Sequence, residues 1–247
     1  MSEVFVFLGP TLPRAEAAPE LDATFLPPVA QGDVIRICAE KPKAIGIVDG
    51  FFESVPSVWH KEILFALHAG IPVFGASSMG ALRAAELHPF GMIGVGAIFE
   101  AYRDGRLEDD DEVAVVHGPA ELGYPALSEA MVNIRRTLAD AVAERVVSRD
   151  TGFRLESIAK ELPYRDRGYG RALRLAADLG LPADELSAFK TWLPTGRFDQ
   201  KRDDARRMLR TMRRHLDRDA AVPEARFHFE RTALWDRAMR EATPLAM

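Results

Sequence analysis

Cysteine is almost absent: the 247 residues include one, Cys38. That count excludes an internal disulfide and a cysteine-cluster metal site together. The apolar neighbours of Cys38 mark it as an inert core thiol rather than a persulfide carrier. Long apolar runs are missing too, none approaching the roughly 20 residues needed to span a bilayer. No basic stretch followed by a long apolar one opens the chain. A cytoplasmic protein with no membrane partner is therefore the expectation. The six histidines show no metal-ligand spacing, so no metal is expected. Neither G-x-G-x-x-G after a strand nor a P-loop occurs, despite Gly91, Gly94 and Gly96, and no cofactor is expected. Aromatics are sparse at 9%, and the net charge is −5. The arginine-rich run at 206–215 is thus a local patch in an acidic protein. It reads as a solvated helix face or a docking surface for a partner protein, not as a nucleic-acid interface.

What is present is 47% hydrophobic, enough to bury a sizeable core. Short β-like runs alternate with helical patterns in the first half, at 4–8, 23–26, 44–48, 71–74 and 113–116. This alternation predicts an α/β fold, a largely parallel sheet with flanking helices in the N-terminal half. From Tyr124 the chain reads as mainly helical, over 127–147, 154–162, 169–179, 182–191, 201–217 and 227–240, with breaks at Gly152, Gly180 and 194–196. The organisation expected is an α/β core at 1–123 and a helical region at 124–247 packed on it. Loops at the carboxyl ends of parallel strands gather on one edge. That edge would collect Gly9 and Thr11, then Asp49, Gly50 and Phe51, the serines after residue 75, and His117. Each alone is ordinary turn chemistry. Asp109-Asp-Asp-Glu112 could hold Mg²⁺, but such acidic loops more often stay in water.

The most informative stretch is Gly75-Ala-Ser-Ser-Met-Gly-Ala-Leu-Arg-Ala-Ala-Glu-Leu87, where an apolar run ends in small residues before a helix. Ala76, Ser78 and Gly80 meet the small-x-nucleophile-x-small pattern of a nucleophile elbow, in which a sharp strand-to-helix turn leaves no room beside the nucleophile. Ser78 would be the nucleophile, and the Met79 N–H with the helix dipole would favour a developing oxyanion. Gly50 or Gly9 would assist. Ser77 is the adjacent alternative, and either serine could instead simply cap the helix. Arg83, in the same run, joins the candidate site.

Upstream, residues 56–70 read as a helix with Pro in its first turn and Gly at its end. Trp59, Ile63, Ala66 and Leu67 form one apolar face, and Val58, Leu64 and Phe65 a second stripe. Lys61 falls within that stripe. Near a helix N-terminus and among apolar groups, desolvation and the dipole both disfavour an ammonium, and a neutral amine is a general base. The alternative is a lysine that snorkels to water. A Ser–His–Asp arrangement of Ser78, His117 and Asp49 or Asp111 is the mechanistic runner-up.

Phe7-Leu-Gly-Pro-Thr-Leu12, Val48-Asp-Gly-Phe-Phe52, Ser57-Val-Trp-His-Lys-Glu-Ile-Leu64, Gly75 to Leu87, Phe90-Gly-Met-Ile-Gly-Val-Gly96 and Asp110-Asp-Glu-Val113 together resemble the core of the TfuA family. Nothing beyond about residue 150 contributes. The resemblance implies a hydrolase-like accessory protein for peptide backbone thioamidation. It would act through a Ser–Lys pair on a thiocarboxylated, ThiS-like ubiquitin-fold sulfur carrier, releasing sulfide, and dock on a YcaO-family enzyme. By motif position the pair is Ser78 and Lys61. Any ATP chemistry would belong to the YcaO partner. The competing class is a non-catalytic adaptor that brings YcaO, peptide and sulfur donor together.

Overall fold

A computed structural model describes residues 3–53, 55–218 and 227–242. Its elements are β1 (Val4–Phe7), α1 (Arg14–Ala17), β2 (Thr24–Leu26), α2 (Asp33–Cys38), β3 (Ala44–Ile47), α3 (His60–His68), β4 (Val73–Gly75), α4 (Met79–Leu87), β5 (Ile93–Gly94), α5 (Ala97–Arg103), α6 (Met131–Ala143), α7 (Arg149–Glu161), α8 (Tyr169–Asp178), α9 (Ala183–Gly196), α10 (Gln200–Asp217) and α11 (Ala233–Glu241). The expected α/β fold is present, with a parallel sheet first and a mostly helical second half. Contacts group residues 1–108 with 202–247 in one compact unit and residues 109–201 in another.

The first unit holds a five-stranded sheet in the order β2-β1-β3-β4-β5, every described pairing parallel. Every residue of β3 and β4 is buried, as a central parallel strand covered on both faces requires. Val4, Val6, Val48 and Phe74 pack with Leu12, Ala17, Leu21 and the apolar stripe of α10, namely Ala205, Met208, Leu209 and Met212. Gly46 makes that packing close: a Cβ there would lie 2.8 Å from Met212 Sδ and 3.1 Å from Met208 Cε. Ile45, Ile47 and Val73 are fully buried as well, and Ile45 and Ile47, alternating with Gly46, point to the other face.

Four of the five expected strands are found. The fifth edge is β5, not 113–116. Val113 and Ala114 are buried, but Val113 O accepts from the Lys201 ammonium (2.7 Å) and Val116 O from Leu127 N (2.7 Å). A β-branched run without a neighbouring ladder stays irregular. Gly152, expected as a break, lies inside α7, where a Cβ would approach Val142 of α6 to 2.6 Å; it is a close-packing glycine. The expected break at 194–196 is likewise the last turn of α9.

In the second unit, Met131, Ile134, Leu138, Leu155, Ile158, Ala172, Leu186 and Phe189 form the core of α6 to α9. Its acidic loop is internally neutralised. Asp109, Asp111 and Glu112 place carboxylate oxygens within 4.8 Å of one another, and the Lys160 ammonium contacts all three. Arg167 and Arg135 add bonds to Asp111 (2.6 Å) and Glu112 (2.8 Å). Burial opposes ionisation of Asp111, yet Lys160 and Arg167 prevail and hold its carboxyl below the usual range.

Candidate functional site

In a sheet ordered 2-1-3-4-5 the connections leaving β1 and β3 run to opposite faces, which opens a crevice at their carboxyl ends. The residues at that edge are Gly9 and Thr11 after β1, and Asp49 and Gly50 after β3. Asp49 is 1% exposed and spends its carboxylate on the neighbouring loop. Oδ2 accepts from Gly9 N at 2.8 Å and Thr11 N at 3.1 Å, and Oδ1 accepts from the Thr11 hydroxyl at 2.6 Å. Asp49 therefore positions the Gly9 loop. The same bond consumes the Gly9 N–H, which is not free to hold an oxyanion, contrary to one of the roles expected for it.

Gly50 keeps the expected role open. Its bridge to Val29 uses Asp49 O and Phe51 N, so its own N–H faces away from Val29 in a parallel ladder. A Cβ at Gly50 would sit 2.7 Å from Met79 Cγ, which sets it against the first residue of α4. In the first turn of that helix Gly80 N donates to Val48 O (3.2 Å) and Ala81 N to Ser78 O (2.9 Å), and the Met79 N–H heads the turn. Phe51, partly buried, is tied to Val29 O through its N–H and accepts the Ser57 hydroxyl at 3.3 Å.

The turn between β4 and α4 is as tight as an elbow demands. A Cβ on Gly80 would fall 1.8 Å from Ile47 O, and one on Gly75 would fall 2.2 Å from Gly80 O. Only glycine lets the helix start this close to the strand ends. Ser78 N donates to Ala76 O (2.8 Å) and Gly80 N to Val48 O (3.2 Å). Ser78 occupies the N-cap position of α4, but its side chain makes no capping bond, so simple capping does not account for it. The left-handed residue of the turn is Ser77, at φ 68°. Such strain in a residue with a Cβ is stored where surrounding structure imposes it. The sequence pattern thus selects Ser78 and the backbone strain falls on Ser77. Both are buried, at 3% and 0% exposure.

Residues 49–168 match the model of a family described as TfuA-like protein. Over this span, just under half of the chain, the sequence is similar to the TfuA-like family. No curated protein matches the chain. The TfuA-like span opens at Asp49 and takes in Gly50, Lys61, both serines, Met79, Arg83 and His117, while Gly9 and Thr11 precede it.

Lys61 lies on α3 as expected, half-buried, but among the described residues its polar contact is not with an elbow serine. Its Nζ donates to Thr232 Oγ1 at 3.4 Å and stands 5.4 and 5.9 Å from the ring centroids of Phe229 and Trp235. Arg83 is drawn into structural bonds, to Val58 O (3.2 Å) and Glu86 (2.8 Å). His117 belongs to the other unit, its Nδ1 2.9 Å from Gly118 O and its ring edge-on to Tyr124. The runner-up triad finds both candidate carboxylates engaged elsewhere, Asp49 by the Gly9 loop and Asp111 by Lys160 and Arg167.

One group escaped sequence reasoning. Glu62 is 0% exposed and accepts from Gly32 N (2.9 Å) and Trp59 N (3.1 Å), joining the N-terminal ends of α2 and α3. Burial raises its pKa above the ordinary carboxylate value, outweighing those N–H donors. Glu at the third helical position after the cap was the available signal. Cys38 agrees with its expected inertness: burial pushes its thiol up to about 12, and thiolate is the reactive form.

Proposed function

We propose that this TfuA-like protein hydrolyses the C-terminal thiocarboxylate of a small ubiquitin-fold sulfur carrier of the ThiS type. It would serve a YcaO-family enzyme in peptide backbone thioamidation. The observation that carries this reading is the serine pair at the β4–α4 elbow, where the loop at Gly50 packs directly against Met79, the first residue of α4. In the reaction Ser78 Oγ bonds to the thiocarboxyl carbon, Lys61 takes the serine proton, and the oxyanion rests on the Met79 and Gly50 N–H groups. Lys61 passes that proton to the sulfur as the adduct collapses, so the sulfur leaves as hydrosulfide. Water then cleaves the acyl-enzyme, leaving a carboxylate on the carrier. The Gly9–Thr11 loop, held by Asp49, would border the crevice that admits the carrier's tail, with Phe51 as a wall.

A second reading has its own observation. Both serines are buried and Lys61 is engaged by the C-terminal segment, as an adaptor without chemistry would tolerate. Mass spectrometry of a thiocarboxylated carrier incubated with this protein alone separates the two: conversion to carboxylate supports the hydrolase, and an unchanged carrier that still binds supports the adaptor.

A further inference from the structure

We propose that residues 227–242 form a clasp that holds Lys61 away from the elbow, and that opening the clasp switches the site on. The proposal rests on the hydrolase reading for what Lys61 does, and on geometry for the clasp itself. Phe227 packs edge-on to Phe90, with ring centroids at 5.6 Å. Phe229 stacks on His68 at 5.6 Å and meets Phe65 at 5.8 Å, while Trp235 meets Phe65 at 5.2 Å and Phe229 edge-on at 5.3 Å. Every partner in that chain of rings outside the clasp lies on α3 or just beyond α4, and α3 is the helix that carries Lys61.

Thr232 supplies the latch. Its hydroxyl oxygen caps α11 by accepting from Trp235 N at 3.2 Å, and the same oxygen accepts from Lys61 Nζ. One atom thus ties the start of the clasp helix to the candidate base. The ring faces of Phe229 and Trp235 complete a cation-binding corner. An ammonium over aromatic faces is a bound cation, whereas a base that receives the Ser78 proton must offer a lone pair. In the closed form the Lys61 amine is held by Thr232 and the two rings, contacts it must leave to serve Ser78.

The far end of the clasp is loosely seated. Ala238, Glu241 and Ala242 face Gly32, Trp59 and Glu62 across a cavity of ≈ 420 Å³. A helix whose last turn borders an open pocket has fewer contacts to break there when it lifts. Aromatic packing fixes the first half of the clasp; the pocket leaves the last turn free to start the opening.

The test is amine labelling of the full chain with acetic anhydride, read residue by residue by peptide mass spectrometry and paired with carrier hydrolysis. Lys41 and Lys190 are exposed and serve as internal standards. In the wild type Lys61 should label at least about fivefold more slowly than either, since protection scales inversely with the open fraction. In Phe229→Ala/Thr232→Val it should label at the standards' rate, and hydrolysis should rise by about the same factor. Phe229→Leu/Thr232→Val, which keeps apolar packing and removes the ring, covers the case in which the alanine variant does not fold. Equal labelling of Lys61 and the standards in the wild type overturns the clasp, and so does an exposed Lys61 with unchanged or lower hydrolysis. A labelling contrast with no hydrolysis by any of the proteins contradicts the hydrolase reading and leaves the clasp as a cover over Lys61.

Discussion

Thr11 and Asp49, 38 positions apart, are joined twice: the Thr11 hydroxyl donates to Asp49 Oδ1 at 2.6 Å and its N–H to Oδ2 at 3.1 Å. The pair ties the loop after β1 to the loop after β3, the two strands that flank the sheet's switch point. A hydroxyl bond to a buried carboxylate contributes about 1.5–3 kcal/mol. Thr11→Val should cost that much in urea unfolding and slow carrier hydrolysis, while Thr11→Ser should stay within about 1 kcal/mol because it retains the donor. A loss in Thr11→Ser with none in Thr11→Val would show that the methyl group, not the hydroxyl, is what the loop needs.

The elbow makes a sharper structural prediction. With Ile47 O only 1.8 Å from a Cβ at position 80, Gly80→Ala should destabilise by more than about 4 kcal/mol or abolish soluble expression, the range reserved for backbone clashes and similar faults. Gly170→Ala is the control. It lies in α8 with only Arg174 Nη1 nearby, at 3.7 Å, so better helix propensity should stabilise the protein by up to about 1 kcal/mol. Thermal melts of the two variants are the measurement.

Glu62 sets a pH dependence with a definite sign. Its folded-state pKa is raised above the ordinary 4.5, so the folded state binds its proton more tightly than the unfolded chain. The stability this contributes is fully present below the unfolded value and is lost as pH rises through the folded one. Glu62→Gln removes the titration. Urea unfolding from pH 4 upward should therefore show the variant gaining on the wild type as pH rises, then a constant difference. A difference that moves the opposite way would mean that the N–H groups of Gly32 and Trp59 outweigh burial.

Partner docking is best probed at Arg207 and Arg213, both exposed. Arg206 and Arg210 are poor choices, because they already pair with Glu16 (2.6 Å) and Glu20 (2.7 Å) and their reversal would disturb α1. Arg207→Glu/Arg213→Glu should weaken YcaO binding in a pull-down several-fold, more at low salt than at high, and leave carrier hydrolysis unchanged. Undiminished binding would place the docking surface elsewhere.

The sequence carried much of the first unit because parallel strands announce themselves locally. Val4 to Phe7 and Ala44 to Ile47 are short apolar runs set between helical patterns, and the elbow's small residues name their own turn. Partnership is what local pattern omits. The run at 113–116 has strand composition but no ladder to join, and only tertiary contacts disclose that Val113 O belongs to Lys201. In α10 the apolar residues Ala205, Met208, Leu209 and Met212 recur at helical spacing, yet nothing near them says that they cover Gly46 of β3. At the site, spacing singled out Lys61 and Ser78 as candidates. The loss of the Gly9 N–H to Asp49 and the hold of Thr232 on Lys61 were not, since each joins residues far apart in the chain.

The central claim is that an elbow serine of this protein breaks a carrier thiocarboxylate. Its most direct test is intact-mass spectrometry of a thiocarboxylated ThiS-type carrier incubated with wild-type protein, Ser78→Ala, Ser77→Ala and Lys61→Ala, without YcaO, peptide or ATP. The account predicts that wild-type protein replaces the carrier's terminal sulfur with oxygen and releases sulfide. Ser78→Ala and Lys61→Ala should leave the thiocarboxylate intact while remaining folded, and Ser77→Ala should retain turnover. Loss in Ser77→Ala with turnover in Ser78→Ala would move the nucleophile to the strained residue. A carrier that keeps its sulfur in the presence of folded wild-type protein and of the clasp-opened variant would contradict the account.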